Sequence, residues 1–258
     1  MNRITTKLQA LSVRKEKALV CFLTAGFPTL DSTIPLVAEI EKGGADIIEL
    51  GMPFSDPLAE GPVIQHSSQV ALQQGTTLDK ILSYVKTIRQ SSEIPLVLMG
   101  YLNPILTYGA ERFFHAAARA GVDGVILPEL PLEESKRYKS IFKNSGLVNI
   151  ILVTPTTPPE RITMIDRASE GFLYCVSTTG VTGSAGDSIS SRYIGNVKKS
   201  AKKNSVLVGF GIKTSADAHR IAQYADGVIV GSALVQKIAK KNSLKEIGGW
   251  VRRMKEAL

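Results

Sequence analysis

Short apolar, β-branched runs recur along this chain, and the stretches between them place their apolar residues at helical spacing. The runs read ALVCFLT (18–24), ADIIEL (45–50), PLVLMGY (95–101), DGVILP (123–128), NIILVT (149–154), FLYCVS (172–177), SVLVGF (205–210) and DGVIVG (226–231). Eight strands alternating with helices predict an α/β fold, a closed parallel (β/α)8 TIM barrel, with an extra helix at the N-terminus. Intervening helices are predicted over residues 33–44, 110–121 and 215–225, and several end in Gly or Gly-Gly, a common C-cap. The pieces GADIIEL, GVDGVIL and YADGVIV echo one another as helix end, turn and strand. No linker or low-complexity stretch interrupts this rhythm, so residues 1–258 read as one domain. An open doubly wound sheet is the alternative, but no GxGxxG follows the first strand.

In such a barrel, catalytic groups come from the C-terminal ends of the strands and the loops beyond them. Four unusual segments fall there: Glu49 with its loop, Tyr101 with Asn103 and Pro104, the STTGVTGSAG loop, and the paired GFGI and VGSALV segments. Glu49 stands in the middle of an otherwise apolar strand. A buried carboxylate costs several kcal/mol unless it is paired or performs chemistry, so this position is a candidate catalytic group. The alternative is a structural carboxylate paired to a neighbour.

Gly209, Gly211, Gly231 and Ser232 bracket the last two strands, and Gly183 lies in the loop after the sixth. Glycines let backbone amides approach an anion, and a helix starting near Ser232 points its positive end at the same place. The loops after strands seven and eight are a frequent phosphate site in barrels, so a small phosphorylated substrate is expected.

Composition narrows the choices. The net charge is +8, but residues from Arg192 onward carry 14 Lys and Arg against 4 Asp and Glu, and the preceding residues carry 17 against 19. These late cations sit at helical spacings with few aromatics between them. They read as solvated helix faces, so no nucleic-acid partner is expected. Cys21 and Cys175 lie in apolar strand runs and read as reduced, buried residues. His66, His115 and His219 lack ligand spacing, so no metal is expected. No apolar run is long enough for a membrane span and the N-terminus lacks a signal-peptide core, which points to a cytoplasmic protein.

The segments ELGMPFSDPLAEGPVIQ (49–65), GYLNPI, STTGVTG, GFGI and VGSALV, in this order, together with CFLTAGFPT at the first strand, resemble the α-subunit family of tryptophan synthase. The resemblance implies a lyase that cleaves indole-3-glycerol phosphate to indole and glyceraldehyde 3-phosphate by a retro-aldol reaction. It implies no cofactor in this chain, and a partner β subunit carrying pyridoxal phosphate (PLP) in an α2β2 tetramer. By the family motif Glu49 is the general acid and base, its apolar neighbours raising its pKa towards the working pH. The second carboxylate, an aspartate in the family, is Glu60 here, one methylene longer; a ~1 Å misplacement can cost on the order of 100-fold in rate. A second departure is Glu129, in PELP, where the family has aspartate; this position is expected to support neighbouring loops.

The remaining positions carry over as substrate-binding residues. Phe22, Tyr174 and Phe210 match the indole end, with plain core packing as the alternative for each. Tyr101 matches a pocket residue on the third strand, and Thr182 and Gly183 match a loop that closes over the site. Gly211, Gly231 and Ser232 match the phosphate cradle. Pro53 to Leu58 and the Asn-Pro-Ile segment after Tyr101 would face the β subunit, two prolines stiffening the first of these loops. The two Asp-to-Glu departures leave a second reading open, a non-catalytic α subunit that only activates β. A third is a free-standing lyase that releases indole.

Overall fold

The computed structural model describes residues 2–176, 191–209, 211–240 and 242–258. Nine parallel strands form the barrel: β1 (Ala18–Thr24), β2 (Ile47–Gly51), β3 (Leu96–Met99), β4 (Gly124–Ile126), β5 (Val148–Ile150), β6 (Leu152–Val153), β7 (Phe172–Val176), β8 (Ser205–Gly209) and β9 (Gly227–Val230). They are ordered β5-β4-β3-β2-β1-β9-β8-β7-β6, so β1 sits beside both β2 and β9. β5 and β6 are the two halves of the expected fifth strand. They part at Ile151, whose N–H donates to the buried Ser169 hydroxyl (3.1 Å) and so leaves the ladder. β5 pairs with β4 and β6 with β7, so the chain itself carries the ring across this break and the eight-unit barrel is retained.

β1, β2 and β7 are buried at every residue, as expected for parallel strands covered on both faces by barrel interior and helices. Helices Thr33–Lys42, Ala110–Ala120 and Ser215–Ala222 occupy the expected segments. Gly121 ends the second of these in the left-handed conformation (φ 99°), which a side chain would strain. The extra N-terminal helix, Arg3–Val13, lies across the N-terminal ends of the strands, with Ile4, Leu8 and Leu11 buried at helical spacing. The Asn2 side chain caps it by accepting from Ile4 N–H (3.0 Å), and donates to the Asp123 carbonyl (2.8 Å).

The three echoing segments share one device at this end. Asp46, Asp123 and Asp226 each precede a strand, and each donates its backbone N–H to the carbonyl of a residue in the neighbouring strand, Leu19, Leu96 and Val206 (2.8, 2.9 and 2.9 Å). Their carboxylates accept the N–H of the same residues, at 2.9, 2.8 and 2.8 Å. A cation completes each unit: Lys255 at 2.7 Å, Arg89 at 2.6 Å and Lys198 at 2.6 Å respectively. Each of these three carboxylates is thereby neutralised by hydrogen bonds and an opposite charge, the condition under which burial is tolerated.

Candidate active site

At the other end of β2, Phe22 and Glu49 share a rung, as do Thr24 and Gly51 two residues further along. Their inward positions, with those of β7 and β9, surround a narrow cavity of about 30 Å³. Glu49, Glu60, Phe22, Tyr174, Gly211, Gly231 and Ser232 all line it. The fold thus brings together seven of the eleven candidate residues, from five separate segments. Phe210, Thr182 and Gly183 lie outside the described residues. Tyr101 is described but does not line the cavity.

Two glycines make room for the rings. A Cβ at Gly51 would come within 2.5 Å of the Phe22 ring, and one at Gly209 would collide with the Tyr174 hydroxyl. Gly209, which the sequence placed among the phosphate-binding glycines, is thus required for packing. Gly211 differs: its φ of 80° is a conformation that favours glycine, and among the described residues other than its chain neighbours no atom lies within 4 Å of the position its Cβ would take. Gly231 caps the helix Ser232–Ala239, whose first-turn N–H groups face the cavity end with the positive pole of the helix dipole. The geometry suits an anionic group at this end.

The electrostatics of the carboxylates are opposite to those at the far end of the barrel. Glu49 is 1% exposed, and neither of its carboxylate oxygens has a hydrogen-bond partner among the described residues. Burial, with a smaller contribution from the Glu60 charge, pushes its pKa up to about 8. Glu60 is 6% exposed, and burial pushes it up to about 7. The Tyr174 hydroxyl is raised well above its ordinary value by burial and by the Glu49 and Glu60 charges. The cavity is therefore a weakly solvated space facing two carboxyl groups that can exchange protons near neutral pH.

Loop anchors place Glu60. Its N–H donates to the Pro57 carbonyl (3.0 Å), its carbonyl accepts from the Gln65 side chain (2.9 Å), and the preceding Ala59 N–H donates to the Tyr101 hydroxyl (2.9 Å). The Tyr101 ring packs against Phe54 at 5.2 Å between centroids. Tyr101 therefore holds the loop that carries Glu60. Glu129 accepts the N–H of Leu102, at the start of the helix Leu102–Tyr108, and so supports a neighbouring loop as expected from the sequence.

The cavity wall also contains Ile64, Met99, Ile212 and Ile229, which the sequence did not single out. Met99 pairs with Gly51 in the strand register, so strand alternation from Glu49 reaches its rung. The others carry no signal that separates them from ordinary core. Cys21 and Cys175 are free and buried, and burial raises both thiols, Cys175 to about 12. Among the described residues no group of three or more His, Cys, Asp or Glu side chains is arranged to hold a metal ion. No described helix is long and apolar enough to cross a membrane.

Comparison with known proteins agrees with this geometry. The family model described as tryptophan synthase alpha chain matches residues 8–257. A tryptophan synthase alpha chain of Geotalea daltonii is 52% identical over 239 residues, covering 92% of this chain and 90% of that one. The crystal structure of tryptophan synthase subunit alpha from Legionella pneumophila superposes with a TM-score of 0.90 at 38% identity, covering 100% and 98% of the two chains. A Mycobacterium tuberculosis tryptophan synthase structure gives 0.92 at 34%, covering 99% and 98%. With a match across almost its whole length, a (β/α)8 barrel and a buried carboxylate pair at its C-terminal end, this chain belongs to the tryptophan synthase alpha chain family.

Proposed function

We infer that this chain is the α subunit of a tryptophan synthase, a lyase that cleaves indole-3-glycerol phosphate into indole and glyceraldehyde 3-phosphate. The observation that carries the residue assignment is that a buried Glu49, without a hydrogen-bond partner among the described residues, shares with a buried Glu60 one cavity that ends at Gly211, Gly231 and Ser232. The reaction breaks the bond between indole C3 and the hydroxyl-bearing glycerol carbon. C3 gains a proton, and the hydroxyl loses one as it becomes the aldehyde oxygen.

A carboxyl group with a pKa of about 8 is mostly protonated at neutral pH, so Glu49 supplies the proton to C3. Its carboxylate then takes the hydroxyl proton, which restores the starting state. Glu60, ionised above about pH 7, accepts the indole N–H and stabilises the positive charge that ring protonation puts on the indole. Phe22 and Tyr174 flank the ring, and the phosphate sits at the start of the helix Ser232–Ala239. Thr182, Gly183 and Phe210 are assigned to the same substrate by family resemblance. These steps use carboxyl groups of this chain alone, with no cofactor; pyridoxal phosphate is assigned to the β subunit.

The partner surface is assigned to the loop after β2 and the helix after β3. Leu58, in the loop after β2, is 87% exposed, and Leu106, in the helix after β3, is 49% exposed. An α2β2 assembly in the cytoplasm is the arrangement proposed. Release of indole from indole-3-glycerol phosphate by the purified chain, alone and with a β subunit, tests the reading. Activity that rises with β supports it, activity indifferent to β favours a free-standing lyase, and none in either condition contradicts it.

A further inference from the structure

The opposite end of the barrel carries a larger recess. A groove of about 910 Å³ runs between the N-terminal helix and the segment 132–145, across the starts of β5 and β8. That volume lies within the ~300 to 1,000 Å³ common for small-molecule sites. Its floor is apolar, with buried Leu8, Phe142 and Leu147, and its walls carry Lys136, Lys139, Lys143, Arg167 and Lys203 against one carboxylate, Glu170.

The arrangement of these cations is specific. Lys139 and Lys143 lie one turn apart on the helix Lys139–Ser145, Lys136 begins the 3-10 turn Lys136–Tyr138 just before it, and all three line the groove. The neighbouring carboxylates are engaged elsewhere: Glu133 with Arg161 (2.8 Å) and Glu134 with Arg137 (3.1 Å). Lys203 donates to the Arg167 and Ser169 carbonyls (3.1 and 2.8 Å). Among the described residues, Lys136, Lys139, Lys143 and Arg167 have no ion-pair partner. Like charges lining one recess repel over about the ~8 Å screening length, and an anion seated among them relieves that repulsion.

We propose that this groove is a second binding site, separate from the lyase cavity, for a small organic molecule that carries several anionic groups on a flat apolar body. The apolar floor takes the body and the three lysines take the anionic groups. Charge complementarity selects against cations, and the floor selects against bare inorganic anions. The site lies at the N-terminal ends of the strands and shares no residue with the lyase cavity, so it stands independently of the proposed reaction.

The probe is 1-hydroxypyrene-3,6,8-trisulfonate, a flat ring with three sulfonates, titrated against the full chain by fluorescence anisotropy at 0.15 M salt. Saturable one-to-one binding is expected. The triple variant Lys136→Ala, Lys139→Ala, Lys143→Ala should weaken it by about tenfold, the combined effect of three exposed ion pairs. A control triple variant with the same change of charge, Lys240→Ala, Lys245→Ala, Arg252→Ala, removes exposed cations of the C-terminal region and should stay within about twofold. Unchanged circular dichroism and lyase activity in both variants show that the fold is kept. Absence of saturable binding, equal weakening by both variants, or no weakening by the first overturns the proposal.

Discussion

The run ADIIEL holds two carboxylates three residues apart, and they occupy opposite ends of one strand in opposite circumstances. Asp46, where the strand begins, accepts the Leu19 N–H and pairs with Lys255. Glu49, near where it ends, has no hydrogen-bond partner among the described residues, and burial pushes its pKa up to about 8. Asp123 and Asp226 repeat the first circumstance, and Glu60 repeats the raised pKa of the second. Carboxylates at the N-terminal ends of the strands lock neighbouring strands together. Among the described residues Glu49 and Glu60, at the C-terminal end, have no ion-pair partner, a local cost in stability that favours their protonated forms near neutral pH. The two ends should therefore answer substitution with opposite signs.

The largest stability effect is expected at the locked end. Asp123→Ala removes the partner of Arg89, whose side chain is 10% exposed, along with the acceptor for Leu96 N–H. Leaving that cation buried and unpaired should cost about 3 to 5 kcal/mol, read from urea denaturation, with little direct effect on substrate turnover in the surviving folded fraction. A loss under about 1 kcal/mol would remove the distinction between the two ends.

Next comes charge at the functional end. Glu60→Gln keeps the shape of the side chain but not its charge, and should lower kcat for indole release on the order of 100-fold with the fold intact. pH dependence sharpens the same point. Glu60 must be ionised and Glu49 protonated, so kcat/KM should fall below about pH 7 and above about pH 8. A profile flat from pH 6 to 9, on the order of three units, would contradict these assignments.

The smallest effect concerns the loop anchor. Tyr101→Phe deletes the acceptor for Ala59 N–H but keeps the ring against Phe54. A stability loss of about 1 kcal/mol is expected, with a fall in kcat severalfold smaller than that of Glu60→Gln.

Much of the fold was legible because it rests on local patterns. Strand runs, helical spacing and glycine caps are written within a few residues of where they act, and all eight units stand where those patterns put them. The split of the fifth strand was not legible, because NIILVT is uniformly apolar and the hydroxyl that takes the Ile151 N–H comes from Ser169. Glu49 was legible as a charge inside an apolar run, and Glu60 through its place in the motif. Ile64, Met99, Ile212 and Ile229 were not, since an apolar residue facing a cavity looks the same in sequence as one facing the core. The locking role of Asp46, Asp123 and Asp226 was also hidden. Their echoing segments marked the turns, but the partner cations Lys255, Arg89 and Lys198 lie 28 to 209 residues away in the chain.

The opposition between the two ends is tested most directly by one variant, Glu49→Gln, measured at pH 8 for both indole release and urea unfolding. A group held at a pKa of about 8 in the folded chain against an ordinary 4.5 must take up a proton on folding wherever the pH lies between the two values. Its stability contribution is complete below about pH 4.5 and is lost as pH rises towards 8, so removing the ionisable group should help most at high pH. The predicted result is a loss of activity of at least about 100-fold together with a gain of roughly 4 kcal/mol, the gain vanishing towards pH 4.5. Retained activity, or a variant less stable than the parent at pH 8, would contradict it.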